Sequence, residues 1–456
     1  MFDLESKIKE WSDALRQKGK FMHDDILELE SHLRDEIDNL IKKDLSEEEA
    51  FIIAVKRLGD THSLAEEYAK INNSIWKELI FYENDKEYKK KIIQDIFLIV
   101  LLSLIAGTLA KIPQFFGIDA YSPDNWGGKI YFKNISLFFL PCIAFFFLYK
   151  KPFNFKSLFF ITPAFIISAV VINLTPIIYP YHTAILTGLH LPFFLWLVIC
   201  VAYTKDKWRD TVRRMDFLRF SGESFIYSVL LFCGVMILYI FTMIIFKNIS
   251  LLDIKDIEKF YVNNILIYTL CAIPIIAVYL VEAKKSIVEN IAPILARIFS
   301  PLFLITMIFF IFSALLLKAD PYSDRNFLIA FNIMLFIVLG LTIYVISARK
   351  KTEKILFFDW INLMLIICAI IIDTIALSAI ISRINIYGFS ANKTAALGIN
   401  IILLINLSGL AFFYILFFIK KSKFILMEKW QTFYLYIYFI WTGFVAFIFP
   451  VIFDFK

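Results

Sequence analysis

Apolar residues at Leu4, Ile8, Trp11 and Leu15 recur every three or four positions, and Leu29, Leu33, Ile37, Leu40 and Ile41 repeat the pattern. That spacing places each set on one face of an amphipathic helix. Ser46 and Glu49 form a capping-box pair ahead of Ala50, Ile53, Ala54 and Leu58, with Gly59 where a C′ glycine belongs. A third helix of about 12 residues follows from those signals. Asp60 or Thr61 then stands ready to cap a fourth, carrying Leu64, Ala65, Tyr68 and Ala69 on one face. Past residue 91 the alternation gives way to long apolar runs, eleven in all, at about 92–110, 134–149, 157–179, 183–203, 224–246, 260–282, 298–317, 327–347, 355–381, 396–419 and 432–453. The second run is short for a hydrocarbon core and reads as a tilted or partly re-entrant piece.

The pattern predicts an all-α protein: a small four-helix module over residues 1–72, a basic linker over 73–91 and a polytopic helix bundle over 92–456. Composition agrees, with 59% apolar residues, 50 Phe, only 14 Gly and a mean hydropathy of +0.71. Charge separates the parts. Residues 1–80 hold 12 Lys+Arg against 19 Asp+Glu, net −7, and the remainder holds 35 against 22, net +13. Clustered cations are what phosphate contacts require, so the acidic module is not expected to bind nucleic acid directly.

Basic residues stay on the cytoplasmic side of a membrane. One set of inter-span segments carries 24 Lys+Arg and the opposite set 11, which predicts a multi-pass protein of a cytoplasmic membrane with its N-terminus inside and its C-terminus outside. The first 90 residues lack an apolar stretch long enough for a cleavable signal, so targeting is expected to come from the first span. Cys142, Cys200, Cys233, Cys271 and Cys368 all lie in apolar runs without pairing or metal-ligand spacing, and read as small hydrophobes.

Three blocks of the module carry a family likeness: Leu29-Glu30-Ser31-His32-Leu33-Arg34-Asp35-Glu36-Ile37, Leu45-Ser46-Glu47-Glu48-Glu49-Ala50 and Lys56-Arg57-Leu58-Gly59-Asp60. At these separations they resemble the permease prefix domain, itself similar to the helical signalling module found beside PadR-type transcription regulators in bacteria. The resemblance implies a bacterial, cytoplasm-facing adaptor with a protein partner such as a PadR-like regulator, and Glu30, His32, Arg34 and Glu36 become candidate partner contacts.

Within the apolar runs, ionisable groups are scarce and each is a candidate functional residue. Asp373, in IICAIIIDTIALSAII, is the clearest, and a salt bridge to Arg383 or Lys393 near the outer interface is the expectation for it. Asp359 is expected to pair with Arg349 or Lys354, while Asp95 and Glu282 sit near span ends, where reaching water is cheap. His182 and His190 bracket the start of the fourth run, as interfacial histidines commonly do. From Arg383 to Lys393, Gly388 permits a tight turn, Ser390 stands at a helix N-cap, and Arg383 and Lys393 place two cations around Tyr387. This stretch, with Asn290 to Arg297, resembles a bacterial multi-spanning family known as domain of unknown function 4153. The chain carries Phe389, Ser390 and Lys393 where that family more often has Leu, Thr and Arg. The likeness brings no reaction with it.

No His-Glu-x-x-His, Cys-x-x-Cys, Gly-x-x-x-x-Gly-Lys-Ser/Thr or Gly-x-Ser-x-Gly pattern occurs, so the expectation is a non-enzyme without metal or cofactor. Two readings remain. One is a regulatory or signalling protein in which a bilayer-embedded body senses a membrane or envelope condition and the helical module passes it to a cytoplasmic partner. The other is a transporter or permease subunit, which needs a polar path; Asn173, Asn332, Asn362, Asp373, Asn400 and Asn406 are the candidates to line one.

Overall fold

The computed structural model describes residues 3–17, 23–41, 45–58, 86–120, 126–150, 155–249, 258–283, 291–316, 325–349 and 355–456. These are helical with short connections, and no strand occurs among them. Two compact units result, one of residues 1–93 with 282–290 and one of 94–281 with 291–456.

In the first unit α1 (Leu4–Gln17), α2 (His23–Ile41) and α3 (Glu47–Leu58) follow the amphipathic pattern. Ile8, Trp11, Leu33, Ile37, Leu40, Ala50 and Ala54 form their common core. Ser46 starts α3 as expected: its hydroxyl donates to Glu49 Oε2 at 2.7 Å and its backbone N–H to the same oxygen at 3.1 Å, while Glu49 N–H donates back to Ser46 Oγ at 3.4 Å. The fourth helix expected over residues 61–69 lies outside the described residues.

The second unit is a membrane bundle. Its helices are α4 (Lys86–Phe115) from residue 94 on, α5 (Trp126–Lys150), α6 (Phe155–Leu174), α7 (His182–Thr204), α8 (Thr211–Ile249), α9 (Ile267–Ala283) up to residue 281, α10 (Ile291–Leu316), α11 (Arg325–Ala348), α12 (Phe357–Tyr387), α13 (Ala391–Phe418) and α14 (Ile425–Gly443). A π-helical stretch, Tyr261–Leu266, leads into α9, and another, Phe444–Ile448, extends α14 into Phe449–Ile452. Ten helical segments among the described residues are long and apolar enough to cross a membrane. The eleventh expected segment falls in α10, of which Ile298–Phe312 is the described apolar part.

Two expectations about these helices need correction. The second span is a full helix, apolar over Gly127–Lys150, and is not short. Lys133 and Asn134 interrupt its hydropathy, yet both are buried and paired: Lys133 Nζ donates to the carbonyl and hydroxyl of Thr175, each at 2.8 Å, and Asn134 exchanges hydrogen bonds with Asn173. The basic inter-span stretch 205–219 is also mostly helix, because between its charges Phe217 and Phe220 bury in one apolar cluster and Met215 in the other. Arg214 donates to the Tyr436 hydroxyl and Arg219 Nε to the Ser347 carbonyl at 3.1 Å.

The bundle packs around two apolar clusters. One joins α4–α7 with α9 and the start of α8; the other joins α10–α14 with Met215 of α8. Phe194 of α7 stacks on Phe439 of α14 at 4.7 Å between ring centroids and so links them. Within the second cluster α12 lies against α10, α11 and α13. Apolar side chains gain little by leaving lipid, so close approach at small residues matters more here than in a soluble core. At Gly398 an added Cβ would lie 1.9 Å from the Trp441 ring, and at Gly409 2.2 Å from the Trp430 ring.

Gly409→Ala is therefore expected to push the Trp430 indole off α13, where its Nε1 donates to the Asn406 carbonyl at 3.1 Å. A loss of about 1–3 kcal/mol follows from overpacking of this kind. It should register as a lower thermal midpoint of the purified protein, while Gly340→Ala, with nothing within 4 Å of the new Cβ, should not lower it.

Candidate functional site

Runs of Leu, Ile and Ala between scattered polar residues keep α12 helical across 31 residues, about 46 Å at 1.5 Å per residue and longer than a hydrocarbon core of about 30 Å. Asp373 sits near its middle, about 21–24 Å from either end by the same rise. The residue has no exposed surface, and neither carboxylate oxygen has a hydrogen-bond partner.

This overturns the expected salt bridge near the outer interface. Arg383 lies ten residues further along, about 15 Å up the helix, and its Nη1 is buried without a partner. Lys393 is engaged elsewhere: its ammonium donates to the carbonyls of Gly388 and, at 3.3 Å, Tyr387. The carbonyls that end a helix lack intrahelical partners and carry partial negative charge, so they are the nearer attraction for a cation just past the turn.

The Arg383–Lys393 stretch is a tight helix-to-helix connection. Gly388 takes φ +73°, a conformation that glycine adopts without strain, and donates its N–H to the Ile384 carbonyl at 2.8 Å. Ser390 occupies the N-cap position of α13, but its side chain makes no capping bond. Its carbonyl instead accepts from the N–H and hydroxyl of Thr394, both at 2.9 Å. Of the two cations expected around Tyr387, Lys393 stands 5.8 Å from the ring centroid. Tyr387 and Phe389 are exposed.

Asp359, at the other end of α12, pairs as expected. Arg349 Nε and Nη2 reach its two oxygens at 2.9 and 2.8 Å, both side chains are almost wholly buried, and the Leu356 N–H adds a bond at 2.8 Å. The Arg349 guanidinium also lies 4.2 Å from the Phe424 ring centroid and 5.2 Å from that of Phe417. Asp95 is paired with Lys150, and His190 Nδ1 lies 2.8 Å from the Leu186 carbonyl.

The asparagines proposed to line a path tie helices together in pairs. Asn173 bonds Asn134; Asn400 Nδ2 donates to Asn332 Oδ1 at 3.0 Å; Asn362 Nδ2 to the Tyr414 hydroxyl at 2.8 Å; and Asn406 Nδ2 to the Tyr438 hydroxyl at 2.8 Å, while accepting from Gln431 at 3.1 Å. The Asn362–Tyr414 bond fixes the antiparallel register of α12 and α13. Counting eleven residues from it along both helices sets Asp373 opposite Leu403, one turn from Asn400 and one turn from Asn406. Asn400 and its partner Asn332, with Asn406 and its partner Tyr438, thus flank Asp373 above and below. Sequence reasoning named these residues individually and missed the grouping, because nothing along the chain indicates which asparagines share a level.

On the module, Arg34 bridges two helices. It contacts Glu5 of α1 at 2.5 and 2.8 Å and Glu30 at 3.0 Å, and Glu30 in turn accepts from Ser12 at 3.1 Å. Two of the four candidate partner contacts therefore hold α1 to α2. Glu36 is half-buried, and the His32 side chain lies outside the described residues.

Comparison with protein-family models, curated proteins and solved structures finds no match to this chain. The site has to be read from its own chemistry.

Two predictions follow. Removing one member of a buried ion pair strands the other charge, so Asp359→Asn is expected to cost about 3–5 kcal/mol. The drop in thermal midpoint should be largely recovered when Arg349→Met is added. In the module, the Arg34 hydrogen bond holds the Glu5 carboxyl below its ordinary value of 4.5, and Ser46 does the same for Glu49. Depressed carboxyls stabilise fully above their unfolded value and lose that effect as pH falls through the folded one. Helicity of a 1–72 fragment, followed by circular dichroism, should therefore fall on acidification below about pH 4.5, with a smaller drop in Glu5→Gln and in Glu49→Gln.

Proposed function

We propose that the chain is a regulatory or signalling protein of a bacterial cytoplasmic membrane. Its multi-span body responds to a membrane or envelope condition, and its N-terminal module, a permease-prefix-like adaptor on the cytoplasmic side, conveys the response to a soluble protein partner of the PadR-like regulator class. In this reading the protein is not an enzyme. It needs no metal or cofactor, and the module does not touch nucleic acid.

One observation carries the reading: the membrane asparagines tie helices together in pairs. Pairwise ties of this sort define discrete packings, and a bundle that can exchange one packing for another is suited to reporting a condition. The module supports the reading from its own side. It has a core and a capped helix independent of any span, and it leaves Asp35, Asp38, Glu47 and Glu48 exposed, an acidic surface that suits a basic protein partner. The excess of 24 over 11 basic residues favours a cytoplasmic position for it.

Asp373 favours the second reading, a transporter or permease subunit with a regulatory prefix, because an ionisable group at mid-membrane is a common part of an ion path. Photo-crosslinking in living cells separates the two. A crosslinking residue at position 35 or 38 of the full-length protein is expected to capture a soluble cytoplasmic protein, and charge reversal of Glu47 and Glu48 to weaken the capture. Normal abundance with no soluble protein captured from either position would remove the adaptor reading and leave transport.

A further inference from the structure

A negative charge at mid-membrane with no countercharge is among the least favourable arrangements a protein can hold, and a bound cation relieves it. Asp373 has this geometry. One turn away by the α12–α13 register lies a neutral acceptor in want of a partner, Asn400 Oδ1: the Asn400 amide hydrogens are committed to Asn332 Oδ1 at 3.0 Å and the Ala396 carbonyl at 2.9 Å, while its Oδ1 is fully buried with no donor. Two oxygen-bearing side chains, both without exposed surface, thus lie one turn apart on facing helices with three acceptor oxygens unmatched.

We propose that Asp373 and Asn400 form a buried binding site for one monovalent cation, a proton or a sodium ion, at the centre of the α11–α14 bundle. The charge arithmetic selects the class. One carboxylate neutralises one positive charge, whereas a divalent ion would leave a net charge buried and an anion would add to the repulsion. Hard oxygen ligands suit an alkali ion or a proton rather than a soft metal.

The charged and titratable surroundings are few. On α12 itself Asp359 is paired with Arg349, and Arg383 is about 15 Å away. On α13 Lys393 is held at the Gly388 turn and Tyr414 lies beside Asn362. On α11 Tyr344 lies toward the Arg349 end, and Ile298–Phe312, the part of α10 whose side chains are described, contains no titratable residue. From α14 Tyr438 reaches Asn406, one turn from the level of the carboxylate on α13. Its hydroxyl oxygen accepts from Asn406, so a change of charge at Asp373 is felt by a bond that ties α13 to α14. That is the route by which a bound cation would alter helix packing, and it deepens the sensing reading by naming the input.

Infrared spectroscopy of the full-length protein in lipid vesicles tests the site, with isotope-labelled aspartate and neutral buffers of choline chloride or sodium chloride at equal concentration. If a proton occupies the site, a protonated-carboxyl carbonyl band is present in choline chloride, shifts on aspartate labelling and is lost in Asp373→Asn. In Asp373→Glu the acid band persists but no longer responds to the label. If sodium occupies it, sodium chloride diminishes that band and raises the thermal midpoint of the wild type but not of Asp373→Asn. The label assigns the band in the wild type, so the result does not depend on a variant that folds. An aspartate signal fully ionised in choline chloride, together with a thermal midpoint indifferent to sodium, overturns the proposal. The measurement uses no partner protein, so its failure leaves the adaptor reading standing, and a failed crosslink leaves the cation site standing.

Discussion

Inside a bilayer a polar side chain has no water to return to, and the need to satisfy it against another helix is the constraint on which this bundle depends. Lys133 reaches Thr175, Asn134 meets Asn173, Asn332 meets Asn400, Asn362 meets Tyr414 and Asn406 meets both Tyr438 and Gln431. Each bond is worth only about 0.6–2 kcal/mol in a membrane. Their larger effect is on register, because apolar faces of Leu, Ile and Phe slide against one another at little cost, whereas a hydrogen bond between two named side chains does not. The Asn362–Tyr414 bond, together with the Gly388 turn, sets α12 against α13 and so decides what Asp373 faces.

Charge is distributed by the same rule. The buried Arg349–Asp359 pair is bidentate and lies against Phe417 and Phe424, so the desolvation of both ions is offset by each other and by the rings. Lys150 and Asp95 neutralise one another, Lys393 caps the carbonyls at the end of α12, and Arg219 takes the Ser347 carbonyl near the end of α11. Against that background the Asp373 carboxylate stands out, since both of its oxygens are buried and neither is matched.

The module follows the soluble version of these rules. Water competes for every polar group there, so its stability rests on a small apolar core and on local devices: the Ser46–Glu49 cap and the Arg34 bridge between Glu5 and Glu30. Those exposed bridges are individually weak and screened by salt. A unit held in this way is readily reshaped by a partner, as the role we propose for it requires.

Much of this was legible in the chain. Amphipathic spacing located α1–α3, the capping box started α3, apolar runs located the spans, and Gly388 marked the turn, because each of these depends on residues close in sequence. Asp359 with Arg349 was legible for the same reason, being ten residues apart across one short connection. The second span reads short because hydropathy scores Lys133 as a break, when its partner Thr175 on the next helix makes it part of the interface. In the inter-span stretch 205–219 the charges mask a helix, which only the burial of Met215, Phe217 and Phe220 among the arginines reveals. What the sequence by itself determined was helix, span and turn. Which asparagines meet, why Lys393 turns to a helix end instead of to Asp373, and that Asp373 and Asn400 lie one turn apart on facing helices were decided only by tertiary structure, because the contact of two side chains on different helices depends on register and rotation that no local pattern encodes.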